Sequence, residues 1–431
     1  MPASNVIPAR LVGVMAVCCA LAVSTLYYHQ PLLPMMAASF GLTSTQAGLI
    51  ATLTQLGYGT GLLLIVPLAD CRQPRRLALR AIGANAVALL ACAAAPSFAL
   101  LCVGSFLVGV TAITAQLIIP ALSGLAAPAE RGRVVGALLS GLSAGLLLAR
   151  TFGGLLGEHC GWRSVFWVAS LIDGVLLLIV AGNLPALTSL SPMRYGALMR
   201  SLGSLLREEP VLRFCAASGF LIFAAFSALW ATLAALLTQP PYTFGSTTIG
   251  LFGLVTVLGI VASPRIGTLV DRLGARTLTV AGATVLVVGF VFIGAGGQHL
   301  GWLIVGMVLL DFGNRVGLVA NQARVQTLRA EARSRLNTVF MGSYFLGGAL
   351  GAALGNYGVH RSGWIGLATV GALLALAATV TSALAPRDTR VTLADAQPRQ
   401  PFAGAVDQCC RAPCPPAPCP PVAAPNRRPG R

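Results

Sequence analysis

The stretch VPLADCRQPRR, residues 66–76, ends a long apolar run with one aspartate and three arginines. GTLVDRLGAR at 267–276 does the same, with Asp70 mapping to Asp271 and Arg75 to Arg276 at an offset of 201. Other pairs follow. STQAGL at 44–49 returns as STTIGL at 246–251, and Gly161-Trp162 returns as Gly363-Trp364, both 202 positions on. Glu130, Arg131 and Arg133 map in the same way to Glu331, Arg333 and Arg335. The chain is a tandem duplication, and in each copy the acid and its arginines sit between two apolar runs.

Composition says what those runs are. The 431 residues are 56% hydrophobic and 10% charged, with mean hydropathy +0.80. Soluble domains carry about 25% charged residues, so this chain reads as an integral membrane protein. Net charge is +17 and all 29 basic residues are arginine. Nucleic-acid binding would need a basic face on a soluble domain, and the apolar runs leave room for none. The cysteines are scattered or lie in the tail without zinc-ligand spacing, so no metal and no cofactor is expected. The first apolar run lacks a cleavage box and reads as a retained span.

At roughly 20 residues per crossing, spans are predicted at 11–37, 47–69, 77–95, 98–120, 134–157, 162–183, 211–236, 248–270, 277–297, 300–322, 336–359 and 363–385. Arginines crowd the even-numbered gaps, while the odd ones hold only Arg163 and Arg361. The positive-inside rule then puts the even gaps and both termini in the cytoplasm of a bacterial inner membrane. The expected fold is all-α, with twelve transmembrane helices in two parallel six-helix repeats. The halves cover 1–183 and 211–385, joined by a cytoplasmic linker at 184–210 that includes a short surface helix. A disordered cytoplasmic tail is expected over 386–431.

These features resemble the major facilitator superfamily over residues 10 to 385. Its loop pattern, Gly-x-Leu-x-Asp-Arg-x-Gly-x-Arg-Arg, is matched in the second copy by Gly267, Leu269, Asp271, Arg272, Gly274 and Arg276. The first copy keeps Leu68, Asp70, Arg75 and Arg76, with Val66, Cys71 and Gln73 in place of Gly, Arg and Gly. YYHQPLLP at 27–34 and TLTQLGYGTGLLLIVPLAD at 52–70 are similar to bacterial drug and sugar efflux permeases of this superfamily, as is NQARVQTL with the RSRLNTVFMGSYFLGGALG that follows. The resemblance implies proton-coupled export of a small molecule, with the loop acids and arginines latching one alternating-access state. The partners are then the lipid bilayer, protons and a small-molecule substrate, and a monomer is expected.

Residues inside the spans carry the rest. Gly141, Gly145, Ala149, Gly153 and Gly157 recur every four residues, as do Gly347, Gly351 and Gly355, so each set forms a helix face that lets a neighbouring backbone close in. Gly145, Gly153 and Gly154 fit the family's antiporter motif, but Ala149 and Arg150 stand where it has Gly-Pro. Charges within spans are costly and need a cavity or a partner, which singles out Arg150, Asp311 and Arg315. Arg150 is near enough to its span's end to snorkel. Asp311 and Arg315 share a helix face, leaving two readings: a structural pair or a proton- or substrate-responsive carboxylate. His29 and Gln30, beside Pro31, are candidates to line a cavity at a bend. Gln55, Gln116, Asn314, Asn321 and Tyr344 are candidate polar cavity residues. Phe220, Phe223 and Trp230 are candidates for its apolar wall. Asp173 is left unassigned.

Proton-coupled efflux by alternating access is thus the expected function, with uniport or proton symport as its rival. A non-transporting membrane sensor is a rival of another class. No nucleophile–base arrangement suggests an enzyme, and no GxxxxGK[ST] suggests an ATP-driven pump.

Overall fold

Apolar runs in lipid can satisfy their backbone only within themselves, and every described element here is a helix. The computed structural model describes residues 8–127, 130–185, 194–257, 266, 269–270, 272–297, 299–329 and 332–386. The predicted disordered tail with Cys409, Cys410, Cys414 and Cys419 lies outside them, apart from Pro386.

The first half contains α1 (Ala9–Ser24), α2 (Leu33–Ser39), α3 (Ser44–Leu64), α4 (Leu68–Cys71), α5 (Pro74–Ala93), α6 (Phe98–Thr111), α7 (Thr114–Leu125), α8 (Arg131–Cys160) and α9 (Trp162–Asn183). The linker carries α10 (Tyr195–Glu208). The second half contains α11 (Pro210–Leu237), α12 (Ser246–Leu251), α13 (Ala275–Ala295), α14 (Leu300–Gln326) and α15 (Arg333–Leu384).

The described residues of the predicted spans lie mostly on helix, and most of the eighth from 258 onward falls outside them. Nine helices among the described residues are long and apolar enough to cross a bilayer, and Ala9–Ser24 and Ser246–Val255 are shorter apolar helices at the first and eighth spans. The longest, α15, holds two predicted spans and is interrupted at Ser362 and Gly363. The outer faces are apolar: Leu171, Leu178, Val291 and Ile365 are each 67–71% exposed, as lipid-facing side chains would be.

Several predicted spans are more broken than their composition suggested, the first and fourth among them. The first leaves the α-helix after Ser24, turns through residues 25–29 and resumes at Gln30–Leu32 and α2, because Pro31 and Pro34 cannot donate to the preceding turn. The fourth breaks between α6 and α7 at Ala112 and Ile113.

The duplication shows in the packing. A Cβ at Gly145 or Gly141 would run into the Ala20 or Ala16 carbonyl of α1, and one at Gly351 or Gly347 into the Ala224 or Phe220 carbonyl of α11. Gly153 likewise meets Tyr28, Gly355 meets Ala228, and Gly157 meets the Leu32 side chain. The two glycine faces therefore bring α8 onto α1 and α15 onto α11 at backbone contact distance. Gly161 and Gly363, the repeated Gly-Trp glycines, both adopt positive φ, +82° and +54°, where the chain reverses between its fifth and sixth and its eleventh and twelfth spans.

Candidate functional site

The break after α1 makes one side of the site. Bonds from Leu26 to Val23, Tyr27 to Ser24, Gln30 to Tyr27 and Leu32 to His29 tighten the chain into three-residue turns. Ser24 Oγ lies 2.8 Å from the Ala20 carbonyl and 3.0 Å from that of Gly145, fastening the end of α1 to α8. This turns Tyr27 and Gln30 towards Arg150 on α8. Arg150 Nε donates to Gln30 Oε1 at 2.7 Å and Nη1 to the Leu146 carbonyl at 3.2 Å. Its guanidinium lies 3.9 Å from the Trp230 ring centroid on α11 and 4.8 Å from that of Tyr27. Of the two readings of Arg150, snorkelling or facing a cavity, the structure shows the second. The side chain is 3% exposed, held inward by stacking between two rings, which is worth about 2 kcal/mol or more when desolvated. Its Nη2 is buried without a hydrogen-bond partner.

Across from it, α14 supplies Asp311, Asn314 and Arg315. Tyr344 on α15 donates its hydroxyl to Asn314 Oδ1 at 2.8 Å. Asp311 is 5% exposed, and its Oδ2 is buried with no hydrogen-bond partner. The structural Asp311–Arg315 pair is not seen. The four-residue spacing puts both on one face, but no ion pair joins them, and both side chains border a cavity instead.

That cavity has a volume of about 500 Å³ and lies between the two halves. It collects five sequence candidates (Gln116, Arg150, Asp311, Asn314 and Arg315), with Tyr344 and Phe223 from the wider set. Gln30 touches it only through Arg150, and with Trp230 lines a separate small crevice. His29 and Gln55 are buried, each with an unpartnered side-chain atom, and are not among the lining residues. Nor are Phe220, Asp173 or Asn321, the last of which donates to Ser218. Sequence reasoning missed Tyr27, Tyr58, Phe226, Phe345 and Gln322 in the lining. An aromatic residue in a span usually packs or anchors, so nothing local marked these. The ring pairs form only once three helices converge: Phe223 stacks on Tyr344 at 4.2 Å, and Phe345 meets Tyr58 edge-on at 4.5 Å.

From Arg150 and Asp311 the cavity runs towards the arginine-rich ends of α8 and α14, reaching Gly136 and Gln322. At that end Asp70 accepts from the Ser334 hydroxyl and faces Arg335, at the start of α15. Arg75 donates to the Ala181 carbonyl and Arg276 to the Ala383 carbonyl, the equivalent ends of α9 and α15. Arg76 and Arg272 are exposed, while Gly267 and Asp271 lie outside the described residues. Gly274 adopts φ +86°, whereas its counterpart Gln73 has φ −62°. The two loop copies thus turn differently where the motif glycine is lost.

At the opposite end the halves touch closely. A Cβ at Gly154 would strike the Ser246 carbonyl, Thr151 donates to the Gly250 carbonyl at 3.2 Å, and Glu158 Oε2 accepts from the Thr247 backbone N–H at 2.5 Å.

The sequence model described as Major Facilitator Superfamily matches residues 14–327 and 215–419. The chain is 37% identical over 366 residues to the uncharacterized transporter YgaY of Escherichia coli O157:H7, covering 85% of this chain and 93% of that one. It is 24% identical over 364 residues to the inner membrane transport protein YnfM of Escherichia coli K12, covering 81% and 84%. Among solved structures, the nucleoside transporter NupG (D323A mutant) superposes with TM-score 0.70 at 11% identity over 86% of this chain and 97% of its own. The human organic anion transporter MFSD10 does so with TM-score 0.68 at 20% identity, over 87% and 99%. The apolar helices, their duplicated packing and these likenesses agree: the chain belongs to the major facilitator superfamily and is a secondary transporter of that family.

Proposed function

We propose that the cavity between the halves is the transport site, that Asp311 is its proton-responsive group, and that transport is proton-coupled efflux by alternating access. One observation carries the coupling: a carboxylate inside the membrane, bordering the cavity, with one oxygen unpartnered. Such a group is expensive unless its protonation state serves the cycle. The arginine-rich end is cytoplasmic under the positive-inside rule, which places both termini inside. Parallel six-helix halves rocking about a central site are how this architecture exposes a substrate alternately. The clasps support that reading, because each joins the two halves near one surface: Asp70 with Ser334 and Arg335 on the inside, Glu158 with Thr247 on the outside. Arg75 and Arg276 hold the loops to helix ends, and the glycine faces keep each half rigid as it moves.

Efflux rests on the likeness to drug and sugar permeases. A second reading, proton and substrate moving together, is favoured by the charge of the lining, where two arginines face one acid. Both are tested by purified protein in vesicles with trapped pyranine. Addition of a transported compound should change the internal pH, towards acid on entry for cotransport and towards alkaline for exchange. No pH response to any compound that moves would contradict proton coupling.

A further inference from the structure

Taking the cavity as the transport site, we propose that its substrate is an aromatic organic anion, a flat ring system bearing a carboxylate, sulfonate or similar acidic group. Charge is the first argument. Among the described residues, the lining holds Arg150 and Arg315 but one acid, Asp311. No ion pair is made by either guanidinium, and Arg150 Nη2 has no hydrogen-bond partner although it is buried. A charge inside a span is costly unless a partner or a cavity receives it. Two such charges against one carboxylate leave the lining positive, and an incoming anion supplies the missing counter-charge. An organic cation would bring a third positive charge into the same low-dielectric space, which disfavours it strongly.

Shape is the second argument. Tyr27, Tyr58, Phe223, Phe226, Tyr344 and Phe345 give the lining ring faces and edges suited to a flat apolar body. Its amides are partly spoken for, since Gln116 donates to Tyr58 and Asn314 accepts from Tyr344. A sugar, which needs many hydrogen bonds, would find few open partners. Arginine's planar fork suits a carboxylate or sulfonate, which it binds through two parallel bonds. Arg150 is already fixed by Gln30 and two rings, so it is preorganised for such contact, while Arg315 makes no ion pair with another described residue. The volume of about 500 Å³ fits a one- or two-ring compound.

The charge count has a consequence for coupling. A proton on Asp311 removes the only negative charge among the described lining residues, so proton and anion favour one another's binding, as in the cotransport reading.

The test uses the full chain in proteoliposomes at equal pH on both sides. Exchange of radiolabelled naphthalene-2-sulfonate, N-methylquinolinium and glucose is compared with protein-free vesicles. The sulfonate stays ionised throughout, so leakage as a neutral acid does not enter. Sulfonate exchange is expected to exceed that of the other two by about tenfold or more, and Arg315→Gln to raise its half-saturation concentration by about tenfold. Arg315→Lys, which keeps the charge and loses the fork, should fall between that variant and the wild type. Preference for the quinolinium or glucose, or unchanged sulfonate affinity in Arg315→Gln, overturns the proposal. Sulfonate exchange that then ignores an imposed pH gradient would overturn the proton coupling and leave the substrate class standing. Quinolinium movement driven by that gradient would do the reverse.

Discussion

Arg150 is the residue at which function and stability part company. Its desolvation inside the membrane is opposed by stacking on Trp230 and Tyr27 and by the bond to Gln30. These are terms of similar size, a few kcal/mol each. Arg150→Met, which keeps the bulk and removes the charge, should therefore leave the melting temperature in detergent within a few degrees while abolishing anion exchange. A collapse in melting temperature would make Arg150 a structural residue. Its importance was legible in the sequence, because an arginine among apolar residues is conspicuous. Its environment was not, since Trp230 lies eighty positions away and meets it only through the approach of α11 to α8. Asp311 and Arg315 show the converse. Their spacing suggested a pair, but side chains four apart pair only if both bend along the helix, and here both border the cavity.

At the scale of elements, glycine spacing carried more information than any motif. The four-residue ladders in α8 and α15 were visible in the sequence, and each is where a neighbouring helix backbone comes to rest. Gly351→Leu should push α15 off α11 and reduce the yield of folded protein severalfold on size-exclusion chromatography. Gly174→Ala, where a Cβ meets nothing within 4 Å, should behave as wild type.

Helix ends were harder to read. The α3 helix starts on a capping box made by Thr43 and Gln46. Its repeat counterpart α12 starts on Gly245, which has no side chain, and takes its cap from Glu158 of the other half. A cap supplied from the other half exists only while that end is closed. Glu158→Ala should thus favour opening there, by about two- to fivefold for an exposed charge-assisted bond of up to about 1 kcal/mol. Labelling of an introduced Thr151→Cys by a membrane-impermeant maleimide reads this directly, as the difference from its Glu158-containing parent. Equal labelling would mean the bond does not hold the end shut.

For the whole molecule, the arginine distribution and the 201–202 offsets point to a duplicated chain of alternating apolar spans. Those signals survive because topology depends on composition and charge summed over many residues. The breaks in the first and fourth spans were less legible, because a proline shows that a bend occurs and not how many turns unwind. The aromatic lining was invisible for the same reason: it is assembled from three helices and the turn after α1, and has no local pattern. What unites the molecule is a cavity between two halves, with a clasp near each surface and, among the described lining residues, one acid.

The central claim is that this acid couples proton movement to transport. The direct measurement is substrate movement in proteoliposomes with and without an imposed pH gradient, for wild type and Asp311→Asn, alongside exchange at equal pH. The account predicts that the gradient drives net accumulation in the wild type and none in Asp311→Asn, which keeps equal-pH exchange. Gradient-driven accumulation by Asp311→Asn at the wild-type level would contradict it.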